Sequence, residues 1–191
     1  MPDISFAPRA LALVGMPGAG KSLCAQHLEQ QGFFQFRFGS IVTNEVQRRG
    51  LALTPQHEQN VREAFRAQDG MAAIALRALP ILRTELARRR SIVIDGLYSF
   101  SEYELLQAEF RSSMIVVAIV ADRALRYERL TARAERPLTP EEALVRDFAE
   151  ITNLEKGGPI AIADYTLLNN TSPNDLLANL DSLIERLGLE P

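Results

Sequence analysis

Short runs of apolar residues alternate with longer amphipathic stretches along this 191-residue chain. The runs lie at residues 10–14, 33–38, 91–96, 114–120 and 165–169. Strands that are buried on both faces of a parallel sheet carry continuous apolar sequence of this kind, whereas half-exposed strands alternate strictly. Five such strands separated by helices predict an α/β fold, in which helices cover both faces of a parallel sheet.

Turn and capping residues divide the intervening stretches into helices. Two Thr-Pro pairs, at 54–55 and 139–140, combine an N-cap residue with a proline at the first helical position. Glu142 adds the acid of a capping box to the second pair. We expect helices at residues 22–31, 41–49, 55–68, 70–90, 101–110, 122–133, 140–153 and 173–187.

Three local features modify this helical pattern. Ser101 and Glu104 fit a capping box at the start of the fifth predicted helix. Pro80 predicts a kink or break within 70–90, because proline lacks the amide hydrogen of a helical residue. Residues 157–159, Gly-Gly-Pro, predict a break in the chain before the last strand.

Composition and length are those of one globular domain, covering residues 1–191 with a loose lead-in at 1–8. The formal charge of −3 argues against a nucleic-acid binder that relies on bulk electrostatics. The chain has no apolar span of 18 residues, and its one cysteine, Cys24, excludes an intrachain disulfide. We therefore expect a cytoplasmic protein that binds neither membrane nor nucleic acid.

Residues 15–22 read GMPGAGKS and fit G-x-x-x-x-G-K-[ST], the phosphate-binding P-loop. Its glycines let the backbone curl so that bare amides meet phosphate oxygens, and the dipole of the following helix points at the same anion. Lys21 can reach the β- and γ-phosphates, and the Ser22 hydroxyl can bind Mg²⁺. The expected nucleotide contacts are Gly15, Pro17, Gly18, Ala19, Gly20, Lys21, Ser22 and Leu23.

A glycine-rich turn without a ligand is the alternative interpretation of this loop. Lysine usage argues against it, because Lys21 and Lys156 are the only lysines in a chain that otherwise uses arginine. A compact ammonium on a flexible stem suits phosphate binding. The sequence therefore predicts binding of a nucleoside triphosphate, taken as ATP with GTP left open, together with Mg²⁺.

Asp95 ends the third apolar run, at the edge of the sheet where ligands bind in open α/β folds. It matches the second acid of P-loop enzymes, which holds Mg²⁺ directly or through water near the P-loop serine. The alternative is an ordinary turn, since Asp-Gly is a common turn pair. Because a P-loop is present, we favour the metal role and predict Ser22 and Asp95 as metal ligands.

Arginines crowd the stretch between the fourth and fifth predicted strands. They are Arg123, Arg126, Arg129, Arg133, Arg136 and Arg146. Arg129 and Arg133 share one helical face, four residues apart, and such like charges repel unless an anion lies between them. The polar segment that follows predicts a lid, at about 134–141, that closes over the triphosphate. The alternative is a solvated helix with salt bridges to Glu128 and Glu135.

Three motifs together resemble the nucleoside monophosphate kinase group of P-loop enzymes: GMPGAGKS at 15–22, Asp-Gly at 95–96 and R-L-x-x-R at 129–133. The P-loop and Phe-Gly-Ser at 38–40 are similar to adenylate kinases and their prokaryotic relatives. The second half is similar to dephospho-coenzyme A kinases, at residues 128–133, 141–143, 146, 163–165 and 169–170.

The resemblance implies a P-loop NTPase fold, a three-layer α/β/α sandwich whose five parallel strands follow the order 2-3-1-4-5. The implied catalytic residues are Lys21, Asp95, Arg129 and Arg133. Arg129 would also contact the nucleotide, and Asn170, in the loop after the last strand, would lie near the donor base. The helical stretch at about 40–90 is longer than a crossover needs, and in a phosphotransferase such an insert holds the acceptor.

Two positions depart from the adenylate kinase pattern. Thr43 stands where one arginine is expected, and residues 97–99 lack another. Both arginines would hold the phosphate of the acceptor, so Arg37, Arg48 or Arg49 would have to replace them.

The sequence leaves three functions open. The first is an ATP-dependent kinase, monomeric or homodimeric, that phosphorylates a small nucleotide-like metabolite. The second is a dephospho-coenzyme A kinase, although Phe-Gly-Ser replaces the acidic pattern expected after strand two. The third is a nucleotide-binding ATPase or switch without a small acceptor, which the missing arginines favour. The lid-like arginine helix and the lack of an Asn-Lys-x-Asp segment favour a kinase.

Overall fold

A computed structural model describes residues 9–89 and 91–191, so the predicted lead-in at 1–8 lies outside the described residues. The strands are β1 (Arg9–Val14), β2 (Phe34–Arg37), β3 (Ser91–Asp95), β4 (Met114–Val120) and β5 (Tyr165–Leu168). They form one parallel sheet in the order β2-β3-β1-β4-β5. The predicted fold class and strand order are confirmed.

Helices connect successive strands, as the parallel pairing requires. They are α1 (Lys21–Gln30), α2 (Gly39–Arg48), α3 (Pro55–Asp69), α4 (Ala73–Arg88), α5 (Phe100–Phe110), α6 (Arg123–Ala132), α7 (Pro140–Leu154), α8 (Gly157–Ala161) and α9 (Pro173–Leu187). No helix in the described part of the chain combines the length and apolar character needed to cross a bilayer.

The sheet separates two apolar clusters because successive side chains of a strand point to opposite faces. In β1, Ala10 and Ala12 face the cluster formed with α2–α5, whereas Leu11 and Leu13 face the cluster formed with α1 and α9. All four side chains are at most 1% exposed. This double burial explains why the central strands β1 and β4 are almost wholly apolar, whereas the edge strands β2 and β5 include exposed positions.

The register of the central strands brings the predicted P-loop and Asp95 to one edge. Leu13 of β1 pairs with Asp95 of β3, and Val14 pairs with Ala118 of β4. Because parallel strands end on the same side of the sheet, the loop after β1 begins beside Asp95.

The capping box of α5 differs from the prediction. Ser99, in extended conformation, is the N-cap, and its partner is the buried Glu102, not the predicted pair Ser101 and Glu104. Both pairs fit the S-x-x-E spacing. Glu102 also accepts a hydrogen bond from the backbone N–H of Tyr98, so the earlier pair satisfies one more amide of the connection that leaves β3.

Two expected interruptions of helices also differ. α4 continues through Pro80, so no break occurs there. Pro80 and Leu76 are exposed, so water can bond the carbonyl that lacks its helical partner. The predicted break at 157–159 is wrong, because Gly157–Ala161 forms the short helix α8, with Pro159 in the first turn where no amide hydrogen is needed.

Candidate functional site

The P-loop follows β1 directly and needs glycine for steric as well as conformational reasons. Gly15 and Gly20 have positive φ angles of 146° and 110°. A Cβ at Gly15 would lie 2.3 Å from the carbonyl oxygen of Ile119, and one at Gly20 would lie 2.4 Å from Nδ2 of Asn169. The loop therefore fits only as bare backbone against β4 and the segment after β5.

The Lys21 ammonium lies over the concave side of this loop. Its Nζ donates to the carbonyl oxygens of Gly15, at 2.7 Å, and Met16, at 3.2 Å. Burial, with a smaller contribution from charge repulsion by Lys156, lowers the pKa of Lys21 to about 7. Because an anion favours the protonated amine, a bound phosphate would stabilise the ammonium at this position.

A cavity opens at the start of α1. It is lined by Gly18, Gly20, Lys21, Ser22, Leu23, Arg129, Leu130 and Arg133. The structure thus brings two of the predicted arginines to the predicted P-loop. Arg129 donates through Nη2 to the carbonyl oxygen of Asn169 at 2.9 Å. Its Nη1 is buried and has no hydrogen-bond partner among the described residues, so this donor fits a phosphate oxygen.

Arg133 differs from the prediction in its backbone. It lies beyond the end of α6, in extended conformation at the C-cap, so it does not share a helical face with Arg129. Its Nε donates to the carbonyl oxygen of Arg136, at the beginning of the predicted lid segment. The two arginines nevertheless line the same cavity, because the chain turns back towards α7 after α6.

Arg126 belongs to the predicted arginine cluster, but its guanidinium is buried and binds other segments of the protein. It is 7% exposed and binds both carboxylate oxygens of Asp147 in α7, at 3.0 and 2.5 Å. It also donates to the carbonyl oxygen of Pro17 in the P-loop, at 2.9 Å. The guanidinium of Arg126 therefore connects α6 to α7 and to the P-loop.

The segment after β5 contacts the P-loop through Asn169, while the predicted contact of Asn170 with the donor base stays a prediction. Asn169 is buried, and its Nδ2 donates to the carbonyl oxygen of Ala19 at 2.8 Å. Asn170 accepts from the backbone N–H of Asp122 at 2.9 Å, which joins the ends of β5 and β4. The Asn-Asn pair was the available signal, but neighbouring asparagines do not reveal which one faces the P-loop.

Asp95 is nearly buried at the end of β3, with 5% exposure. Its Oδ2 accepts from Nε2 of Gln35 at 3.2 Å and lies 3.4 Å from Nε of Arg37. Among the described residues no group of three or more His, Cys, Asp or Glu could hold a metal ion. Ser22 and Asp95 instead suit Mg²⁺, which takes few protein ligands and completes its shell with phosphate oxygens and water. Their role as ligands stays a prediction.

The acceptor-side arginines separate into two kinds. Arg48 and Arg49 both bind Glu45, at 2.6 and 2.8 Å, on the exposed surface of α2. Arg37 lies beside Asp95 at the end of β2. Leu97 is fully buried, so the position that lacks an arginine is part of the core.

The insert and the lid segment meet on the far side of this cleft. Arg136, in the lid segment, forms an ion pair with Glu58 of α3 at 3.3 Å. Between α2, α3 and α4 lies a groove lined by Ile41, Asn44, Glu45, Arg48, Phe65 and Arg77. The predicted lid segment therefore contacts the helical insert through the ion pair of Arg136 with Glu58.

Lys156 and Glu150, which the sequence interpretation did not use, form a largely buried ion pair at the end of α7. Lys156, just after α7, is 2% exposed, and its ammonium binds the carboxylate of Glu150. Glu150 also accepts from Nε of Arg146 at 3.0 Å. The signal that could have found Lys156 was the scarcity of lysine, which we applied only to Lys21.

The sequence of this chain is similar to the sequences of two protein families. The chain matches the AAA domain family over residues 11–155. A UPF0200 protein of Thermococcus kodakarensis is 35% identical over 178 residues, which cover 92% of this chain and 96% of the relative. A UPF0200 protein of Pyrococcus furiosus is 34% identical, with 93% and 96% covered.

Solved structures share the fold at lower identity. TT1252 from Thermus thermophilus is similar with a TM-score of 0.64 at 20% identity, covering 94% of this chain and 98% of that chain. A gluconokinase from Sinorhizobium meliloti has a TM-score of 0.56 at 18% identity, with 95% and 97% covered. Shikimate kinase from Acinetobacter baumannii, in complex with shikimate, has a TM-score of 0.55 at 19% identity, with 97% of both chains covered. The fold is therefore that of P-loop kinases.

Proposed function

The chain belongs to the AAA domain family and to the UPF0200 proteins, and from this premise we propose that it is an ATP-dependent P-loop kinase. Its acceptor is a small, nucleotide-like metabolite. One observation carries the proposal: Lys21, Arg129 and Arg133 line one cavity at the P-loop. Asp95 lies at the end of the neighbouring strand, in register with the residue two positions before the loop.

The proposed reaction is an in-line transfer of the γ-phosphoryl group. An acceptor oxygen forms a bond to the γ-phosphorus, the bond from that phosphorus to the β–γ bridging oxygen breaks, and ADP leaves with the electron pair. The acceptor proton passes to water or to Asp95, which is the first candidate for a base. Lys21, Arg129 and Arg133 would neutralise charge on the phosphate oxygens and orient them. Mg²⁺, held near Ser22 and Asp95, would neutralise the β- and γ-phosphates.

The proposal assigns the grip on the acceptor to Arg37. Of the three arginines that could replace the missing ones, Arg48 and Arg49 share Glu45, whereas Arg37 borders the cleft beside Asp95. A guanidinium binds phosphate or carboxylate with two parallel hydrogen bonds. We therefore expect an anionic acceptor.

A labelled-ATP assay with a panel of acceptors tests this function. The panel contains nucleoside monophosphates, dephospho-coenzyme A and a reaction without acceptor. Phosphorylation of a nucleoside monophosphate supports the first hypothesis, and phosphorylation of dephospho-coenzyme A supports the second. ATP hydrolysis that no acceptor changes supports the switch, which Thr43 and Leu97 favour.

Lys21→Ala is the decisive variant for the donor site. Without the ammonium we expect transfer to be abolished, since a single preorganised charge donor contributes roughly 10²–10³-fold or more to turnover. Arg83→Ala, which removes an exposed partner of Glu109, is the control. Unchanged turnover in Lys21→Ala, with melting temperature preserved, would refute the assignment. The same proposal places the enzyme in the cytoplasm, as a monomer or homodimer.

A further inference from the structure

The connection that leaves β3 carries one polar side chain that the proposed function does not use. It begins with Gly96, which has no side chain, and Leu97, which is fully buried in the core. Ser99 is 1% exposed, and its side chain caps α5. Tyr98 is only half-buried, so among residues 96–99 its phenol is the side chain that a ligand can contact.

The Tyr98 ring folds back over the end of the strand. A Cβ at Gly96 would lie 2.6 Å from the Tyr98 hydroxyl oxygen and 2.7 Å from Cζ, so the phenol lies against the bare backbone of the residue that follows Asp95. Gly96 also has a φ of 97°, a conformation that favours glycine. The hydroxyl is therefore held at the carboxyl end of β3, where ligands bind in open α/β sheets.

Backbone and ring contacts fix this position. The Tyr98 N–H donates to the buried Glu102 carboxylate at 2.8 Å, and the Ser99 N–H donates to the same oxygen at 3.1 Å. The Lys156 ammonium, which is paired with Glu150, lies 5.2 Å from the centre of the Tyr98 ring, and a cation over a ring face is attracted to it. The tyrosine is therefore preorganised, which lowers the cost of binding a ligand.

The Tyr98 hydroxyl has no hydrogen-bond partner among the described residues. The hydroxyl of a largely enclosed tyrosine usually finds such a partner, as Tyr127 does by donating to Asp147 at 3.2 Å. At the neighbouring strand end, Nε of Arg37 lies 3.4 Å from Asp95. A phenol and a guanidinium therefore lie at the ends of adjacent strands near Asp95, an arrangement that suits the binding of one anionic acceptor.

We propose that Tyr98 is an acceptor-binding residue, whose hydroxyl donates a hydrogen bond to an anionic oxygen of the phosphate acceptor. This inference rests on the proposed function, because it adds a second donor to the acceptor grip assigned to Arg37. A phenol is neutral and donates one hydrogen bond, whereas a guanidinium donates two in parallel to a charged group. Tyr98 therefore orients the acceptor near Asp95, and Arg37 supplies the charge that attracts it.

Tyrosine-selective NMR tests the contact directly. Protein labelled with ¹³C at tyrosine Cζ gives signals from the four tyrosines of the chain, and Tyr98→Phe assigns one signal by removing it. The probes are AMP-PNP with Mg²⁺, followed by AMP or dephospho-coenzyme A. We expect one of these two acceptor probes to shift the Tyr98 signal, because Cζ bears the hydroxyl that gains a hydrogen bond. The signal of Tyr165, in the cluster formed with α1 and α9, should stay unchanged.

Melting temperatures measured with the same probes separate the inference from the proposed function. An acceptor probe that raises the melting temperature of the AMP-PNP complex without shifting the Tyr98 signal overturns the inference and leaves the proposed function intact. If AMP-PNP raises the melting temperature and neither acceptor probe does, the inference fails and the ATPase alternative gains support. If no probe raises it, nucleotide binding is refuted, and the proposed function fails with the inference.

Kinetics separate acceptor binding from packing. Tyr98→Phe keeps the ring over Gly96 and removes only the hydroxyl. We expect KM for AMP or dephospho-coenzyme A, whichever is phosphorylated, to rise roughly threefold to tenfold, as for loss of one hydrogen bond, with KM for ATP changing less than about twofold.

Tyr165→Phe is the matched control for Tyr98→Phe. It removes a hydroxyl on the opposite face of the sheet, so both KM values should stay those of the wild type. A Tyr98→Phe protein with wild-type melting temperature and wild-type KM for the acceptor would overturn the inference, and the phenol would then only pack against Gly96.

Discussion

On the donor side the P-loop is held by buried side chains from distant parts of the chain, whereas on the acceptor side the arginines of α2 bind an acid of their own helix. Arg126 reaches Pro17 across 109 positions, and Asn169 reaches Ala19 across 150. Arg48 and Arg49 bind Glu45 three and four positions away. Tertiary contacts therefore hold the P-loop in place, whereas the guanidinium groups of Arg48 and Arg49 find their partner within their own segment.

The largest difference between the two sides should appear in unfolding. Arg126→Ala leaves the buried Asp147 carboxylate without its guanidinium, so we expect a loss of about 3–5 kcal/mol in the free energy of unfolding. Arg48→Ala breaks an exposed pair and should cost far less, because water screens exposed ion pairs. Urea unfolding of both variants measures the contrast. Equal losses of unfolding free energy in the two variants would show that the contacts of Arg126 stabilise the protein no more than an exposed ion pair does.

A buried acid on the acceptor side should give a dependence of stability on pH. Burial raises the pKa of Glu102 to about 7, against hydrogen bonds from the amides of Tyr98 and Ser99 that lower it. The folded protein then holds a proton that the unfolded chain loses above its ordinary pKa of 4.5. Stability should therefore fall as pH rises from about 4.5 to about 7, by roughly 3 kcal/mol.

Glu102→Gln isolates this contribution, because the amide keeps an acceptor oxygen for the capping box but does not titrate. The difference in unfolding free energy between wild type and variant should change across that range, and Glu109→Gln, at an exposed pair with Arg83, provides the control. A parallel pH dependence of wild type and Glu102→Gln would contradict the raised pKa.

Matched glycine substitutions compare the two sides at backbone level. Gly20 and Gly50 both have positive φ, at 110° and 69°, but an added Cβ meets Asn169 at Gly20 and nothing within 4 Å at Gly50. We expect Gly50→Ala to cost about 1 kcal/mol from backbone strain alone. Gly20→Ala should cost about 2–3 kcal/mol and also abolish nucleotide binding. Thermal shift with AMP-PNP and Mg²⁺ measures both effects.

The smallest expected effect distinguishes the arginines of the acceptor side. Arg37→Met should raise KM for the acceptor about tenfold, since a hydrogen bond to a charged group contributes roughly 1.5 kcal/mol. Arg49→Met should leave KM unchanged, because its guanidinium binds Glu45. An equal rise of KM in both variants would mean that Arg49 binds the acceptor as Arg37 does.

The sequence predicted the order of strands and helices closely because local signals agree with the fold. Apolar runs, Thr-Pro pairs and the P-loop glycines each act over a few residues. Prediction failed where two local patterns were equally good, as for the two S-x-x-E pairs near α5. It also did not reveal that Asn169 contacts the P-loop, because that hydrogen bond joins residues 150 positions apart.

The sequence by itself determined the α/β class and the presence of a phosphate-binding loop, since backbone curvature and the reach of a lysine depend on neighbouring residues alone. Only the tertiary structure decided which arginines face the cavity and which hold the fold. Arg126 and Arg129 are three positions apart on one helix, yet one binds Asp147 and the other has an Nη1 without a hydrogen-bond partner among the described residues. That division depends on acids and carbonyls brought in from distant segments, such as Asp147 for Arg126 and the Asn169 carbonyl for Arg129.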